Sequence, residues 1–245
     1  MITDISLIDN QENILTYHNI SNQFNIGINN ITLKAFESHL YFFKTLNCDF
    51  KICFDDAYED IYYNAFPIMN KYQYKGIIFP ITDFIGKNNT WDVNFFINKK
   101  KHVNYNHLLK LLDAGWEVGS HGHSHISYKV LSNQRILEDL TVSKDILEKK
   151  LKTEINVFTP PFGYISEKHI DLVKKAGYST IYLNHCYIDQ NILNSGLKIG
   201  RRFNIYKYDG LKSIMRKLDN NKYQLTFDSI IHYCSNATVY VKKIS

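Results

Sequence analysis

Lys51–Asp60 reads KICFDDAYED. Ile52, Cys53 and Phe54 form a short apolar run that ends in two adjacent carboxylates, Asp55 and Asp56. An unbroken apolar run of this length is the pattern of a strand buried on both faces, as in a parallel sheet covered by helices. Two negative charges side by side at the end of such a strand call for a cation, or for a proton held by one of them.

Working outward, the same alternation recurs. Ile14–Tyr17 reads as a strand, and Thr32 as the cap of a helix with Leu33, Phe36, Leu40 and Phe43 on one face. A helix over roughly Glu59–Tyr72, disturbed at Pro67, leads to a strand at Gly76–Phe79. Ile81–His102 is a long stretch without periodicity, and loops of that length are often functional. Asn106 leads a helix that stops near Gly115, followed by a strand at Trp116–Val118. Ser132 caps a helix to about Leu151, and Ile155–Phe158 is a strand. Ser166–Ala176 is a helix ended by Gly177, and Thr180–Leu183 is a strand. Strands alternating with helices predict one parallel α/β domain over 1–245, open or closed into a barrel, with 220–245 as an appended segment of β character.

The bulk composition agrees. The 245 residues are 44% hydrophobic and 14% aromatic, enough for a substantial core and unlike a disordered chain. A net charge of +5 is mild for this size, and no nucleic-acid module accompanies it. The basic run Lys99–Lys101 reads as a solvated loop. The cysteines, Cys48, Cys53, Cys186 and Cys234, form no C-x-x-C pair and read as reduced thiols. No apolar run reaches the roughly 18 residues of a membrane span. Read from Met1, the chain shows no basic segment followed by an apolar one, which points to the cytoplasm or the inner membrane face.

In parallel α/β folds, active residues collect at the C-terminal ends of strands. Four groups occupy such positions: His18, Asp55-Asp56, Ser120–His125 and Thr159–Gly163. An aspartate with two histidines is a ligand set for Zn²⁺ or a similar divalent ion that leaves positions open for water and substrate. His121 and His125 are four apart, so one helical turn would aim both the same way, while His123 should point elsewhere. Taken singly, each feature has a plainer reading: a helix cap, an exposed histidine loop, a turn.

Phe54-Asp55-Asp56-Ala57-Tyr58, Gly119-Ser120-His121-x-x-x-His125 and Pro160-Pro161-Phe162-Gly163 resemble, in that order, the first three motifs of the polysaccharide deacetylases (carbohydrate esterase family 4, NodB homology domain). The resemblance implies a distorted (β/α)₇ barrel and metal-dependent hydrolysis of N-acetyl groups on amino sugars, with an N-acetylated saccharide as partner. It implies Asp55 as catalytic base, Asp56, His121 and His125 as ligands of a divalent metal such as Zn²⁺, and the Phe162 backbone N–H as an oxyanion donor. Ala57 replaces the glycine that usually follows the aspartates, and Thr159 stands where many members have an arginine that supports the base. Arg202, placed after the last barrel strands, is the candidate replacement, and Arg201 is an equal-looking neighbour.

The catalytic acid has two candidates. Leu15-Thr16-Tyr17-His18 resembles the branch containing the poly-β-1,6-N-acetylglucosamine deacetylases, where this strand opens a permuted barrel. Ile230-Ile231-His232 offers the alternative, and His185 lacks a motif. Trp91, Tyr58 and Tyr164 are candidates for stacking on a sugar ring, with core packing equally open. Two other functions remain: a non-catalytic carbohydrate-binding protein on the same scaffold, and a metal-dependent amidase acting on a small non-sugar amide.

Overall fold

The computed structural model describes residues 12–25, 27–45, 50–90 and 100–236. Its strands are β1 (Glu12–Tyr17), β2 (Asn19–Ile20), β3 (Asn30–Ile31), β4 (Lys51–Asp56), β5 (Gly76–Pro80), β6 (Glu117–Val118), β7 (Val157–Phe158), β8 (Thr180–Asn184) and β9 (Lys198–Asn204). Its helices are α1 (Leu33–Thr45), α2 (Phe66–Lys71), α3 (Tyr105–Asp113), α4 (Asn133–Leu151), α5 (Glu167–Lys175), α6 (Gln190–Leu193), α7 (Leu211–Leu218) and α8 (Lys222–Asn236).

Seven strands form one parallel sheet in the order β6-β5-β4-β1-β9-β8-β7. Its two edges meet just beyond β6. Ser120 bridges Phe158 in parallel, donating its N–H to Val157 O and accepting from Thr159 N–H, both at 2.9 Å. The sheet therefore closes into the barrel that the family resemblance implies. The N-terminal strand β1 lies between β4 and β9, so the chain runs round the barrel in sequence order.

Strand side chains alternate between faces. Ile14, Cys53, Ile77, Phe79, Val157 and Tyr182 form a cluster separate from the main core and fill the barrel interior. Burying an aliphatic or aromatic side chain of this kind contributes roughly 1.5–3 kcal/mol. Gly200 makes room for it: a Cβ there would lie 2.3 Å from the Tyr182 ring and 2.6 Å from Ile14. Two residues beyond Cys53 comes Asp55, and two beyond Gly200 comes Arg202. The period-2 pattern that plugs the barrel thus aims both side chains into its C-terminal mouth.

The helices cover the outside. Ser132 caps α4 through the Arg135 N–H. For α3 the cap is Asn104, in a reciprocal capping box with His107, two residues before the expected start. Pro67 stands just after a π-helical turn over Ile61–Ala65 that runs unbroken into α2, so the helix is disturbed at the expected place. Among the described residues no helix is long and apolar enough to cross a membrane.

The appended segment differs from expectation. The described part of 220–245 is the helix α8, whereas its aromatic and β-branched residues suggested strand. Tertiary contacts override that propensity. Lys217 of α7 is fully buried and binds Asp209 at 2.6 Å, Asp228 of α8 at 3.0 Å, and the Asn204 carbonyl at the end of β9 at 2.7 Å. Cys53 and Cys186 are free thiols; Cys48 and Trp91 lie outside the described residues. Of the basic run, Lys101 pairs with Glu59 at 3.2 Å and Lys100 lies over the Tyr58 ring, so it is anchored rather than simply solvated.

Candidate active site and metal centre

Asp55 and Asp56 divide their roles by backbone geometry. Asp55 keeps the interior direction of β4, while Asp56 and Ala57 turn into the left-handed region, at φ 63° and 53°. That conformation costs an L-residue roughly 1–2 kcal/mol, which explains why a glycine suits position 57. It turns the Asp56 carboxylate toward two imidazoles. His121 Nε2 lies 3.5 Å and His125 Nε2 3.3 Å from Asp56 Oδ1.

The two histidines are brought together differently from the expected helical turn. They sit on an irregular loop between β6 and α4, with His125 itself left-handed at φ 55°. His123 points away, as expected, its Nδ1 2.9 Å from the Thr82 hydroxyl. His121 donates from Nδ1 to the Thr159 carbonyl at 2.9 Å, which leaves the Nε2 lone pair facing Asp56. His102 donates from Nδ1 to the Asp56 carbonyl at 2.6 Å and steadies the turn.

Asp56, His121 and His125 are all buried, and one ligand atom from each lies within 4.8 Å of the others. One carboxylate and two imidazoles, with a tautomer fixed by a backbone carbonyl, fit a divalent ion. Burial alone would raise the Asp56 pKa, but the His121 and His125 imidazoles beside it hold it well below the usual carboxylate range.

Asp55 lies against Arg202. The guanidinium reaches both carboxylate oxygens, from Nη1 to Oδ1 at 3.1 Å and from Nη2 to Oδ2 at 2.5 Å. Nη1 also donates to the Thr159 hydroxyl, which in turn donates to the Tyr182 carbonyl. Thr159 therefore accommodates an arginine arriving from another strand. Arg202 lies within β9 rather than after the last strands, at 2% exposure. Arg201 faces the opposite side, over the Phe203 ring. Burial would raise the Asp55 pKa; Arg202, then His121 and His18, outweigh it and hold Asp55 below its ordinary value.

A buried charge that loses its main partner is expensive. Arg202→Met is expected to destabilise the fold by about 3–5 kcal/mol, read by chemical denaturation. Arg202→Lys should fall between, since an ammonium cannot reproduce the two-pronged contact. A loss under about 1 kcal/mol in Arg202→Met, the size of an exposed pair, would remove Arg202 from this role.

The two candidate acids end up near each other. His18, just past β1, places Nε2 3.9 Å from Asp55 Oδ2. His232, on α8, packs against Gly163, and its Nδ1 lies 3.4 Å from the Asn204 amide. Burial pushes both imidazoles toward the neutral form. For His18, Asp55 and Asp56 oppose that shift, with only lesser contributions from Arg202 and His121 reinforcing it. For His232, Arg202, His185, His18 and Lys129 reinforce it, down to about 3. His185 is half-buried against α8, its Nε2 facing the Leu225 carbonyl at 3.2 Å. Phe162 is left-handed at φ 59° in the turn after Pro160, with its ring 4.8 Å from that of His125. Tyr58 is a core residue, 2% exposed, with its ring tilted against that of His102. Tyr164 is half-buried against Tyr187, with Lys129 over its ring.

The sequence model of the polysaccharide deacetylase family matches residues 49–181, more than half of the chain, and the chain belongs to that family. Over 135 residues it is 31% identical to the poly-beta-1,6-N-acetyl-D-glucosamine N-deacetylase of Staphylococcus aureus (strain MSSA476). That alignment covers 51% of this chain and 44% of the relative, so the chain matches less than half the length of the curated enzyme. The Streptococcus pyogenes deacetylase PplD, solved in complex with acetate, superposes with a TM-score of 0.68 over 84% of this chain and 97% of that one, at 18% identity. IcaB from Ammonifex degensii superposes with a TM-score of 0.61 over 71% of this chain and 84% of that one, at 16% identity. At these identities the likeness is one of fold. His18 and Arg202 both lie outside the matched span 49–181.

Proposed function

We propose that the protein is a metal-dependent hydrolase that removes N-acetyl groups from an amino sugar or an N-acetylglucosamine-containing saccharide. The observation that carries this reading is the adjacency of two sites: a carboxylate–bis-imidazole trio, and a second carboxylate, Asp55, reserved by Arg202. Asp56, His121 and His125 would hold a divalent ion such as Zn²⁺, which supplies Lewis-acid activation of water and of an amide carbonyl when bound.

Each other role falls to a residue of the chain. Asp55, ionised and oriented by Arg202, takes a proton from the attacking water. The Phe162 backbone N–H supports the developing oxyanion. His18 delivers a proton to the departing amine nitrogen, since an unprotonated amine is a very poor leaving group. Burial leaves the His18 pKa below its ordinary value, but the carboxylates of Asp55 and Asp56 beside it oppose that shift, whereas the charged neighbours of His232 add to it.

Elemental analysis of protein loaded with Zn²⁺ and desalted tests the ion centre. The expected result is one ion per chain, lost in Asp56→Ala and in His125→Ala and retained in His123→Ala. A wild type without stoichiometric ion would refute the proposed mechanism. A panel of N-acetylated chitooligosaccharides and small non-sugar amides, read by amine release, separates sugar deacetylation from general amidase activity. The binding-scaffold alternative predicts ion and sugar binding without amine release.

A further inference from the structure

Asp139 stands on the buried face of α4, in line with Ile136, Leu140, Ser143 and Leu147, and is 6% exposed. A carboxylate in an apolar helix stripe must be met by donors. The donors all come from the loop that carries His121 and His125. Asp139 Oδ2 accepts from the His123 N–H and from the Tyr128 hydroxyl, each at 3.0 Å. Oδ1 accepts from the Ser124 N–H at 2.8 Å and from the Ser124 hydroxyl at 2.6 Å.

The loop wraps tightly round this carboxylate. Gly122 is left-handed at φ 77°, and a Cβ there would lie 2.5 Å from Asp139 Oδ2. One turn further along α4, the Ser143 hydroxyl donates to the Gly122 carbonyl at 3.1 Å. The helix therefore grips Gly122, His123 and Ser124, the three residues between the histidines. With those three fixed, the separation and aim of the two imidazoles are fixed as well.

We propose that Asp139 is the positioning residue of the metal-ligand loop, setting ion affinity through the geometry of His121 and His125 while touching neither ion nor substrate. This rests on the reading of Asp56, His121 and His125 as ion ligands. The competing view is that Asp139 contributes only to folding.

The discriminating readout is ion binding by folded protein. Asp139→Asn is nearly isosteric, but its amide nitrogen cannot accept, so one pair of donors loses its acceptor in either orientation. Calorimetric titration of the ion-free protein with Zn²⁺, well below the unfolding midpoint, is expected to show affinity reduced about 10–100-fold. The visible absorption of the Co²⁺-loaded variant should differ from that of the wild type. Tyr128→Phe is the structural control: it deletes a hydrogen bond to the same carboxylate outside the three-residue grip, so it should lower stability and leave the affinity unchanged.

Wild-type affinity and spectrum in Asp139→Asn, with only stability reduced, overturn the proposal. If Asp139→Asn does not fold, Asp139→Glu keeps both acceptors on a longer side chain and should weaken binding in the same direction; unchanged affinity there also overturns it. A wild type that takes up no Zn²⁺ instead refutes the ligand reading, and the positioning role falls with it.

Discussion

Asp55→Asn is expected to keep the bound ion and to lose turnover by roughly 10²–10⁴-fold, the range for a missing general acid or base. The ion should stay because the ligand trio uses Asp56, whose carboxylate is turned away from that of Asp55 by the left-handed step at φ 63°. The turnover should go because an amide oxygen cannot accept a proton from water at neutral pH. Stability should fall too, since Arg202 would face a neutral partner at 2% exposure. The assay therefore belongs well below the unfolding midpoint, with folded protein measured separately. Near-normal turnover in a folded, ion-loaded Asp55→Asn would remove Asp55 as the base.

His18→Ala is expected to retain ion and lose activity over the same roughly 10²–10⁴-fold range on an N-acetylated sugar. On an activated aryl acetate, whose leaving group needs no proton, the loss should shrink markedly. A merely packed histidine would give another pattern, with lower thermal stability and both substrates reduced alike. His232→Ala is the companion variant. His232 packs against the turn that carries Phe162, so its removal can disturb stability, but it should not produce a leaving-group-dependent loss. Selective loss in His232→Ala with near-normal His18→Ala would reverse the assignment.

The clustering of Asp55, Asp56, His121 and His125, proposed as base and ion ligands, was legible because these residues lie in short contiguous stretches at strand ends. Period-2 and period-3.6 patterns located those ends without any long-range information. Arg202 was harder. Arg201 and Arg202 are chemically equal neighbours, and only the register of β9 against β1 and β8 decides which faces the barrel interior. A local signal did exist: Gly200, two residues earlier, marks the interior face where a side chain would strike Tyr182.

Other features were written in tertiary contacts. The helix α8 contradicts its β-like composition because Asp228 reaches the buried Lys217 from it. The His121–His125 loop mimics helical spacing, yet Gly122 and the left-handed His125 give it an irregular path. Asp139 did leave a trace, an acidic residue in the middle of the apolar stripe of α4. A buried carboxylate in such a stripe signals donors to be found, although the sequence could not say that they belong to the ligand loop.

The most direct measurement is amine release from an N-acetylglucosamine oligosaccharide by protein that has been stripped with a chelator and reloaded with Zn²⁺. The expected result is release by the reloaded wild type, none by the stripped form, and little by reloaded Asp55→Asn. Stoichiometric ion in the reloaded wild type without amine release from any oligosaccharide would contradict deacetylation and favour a binding scaffold.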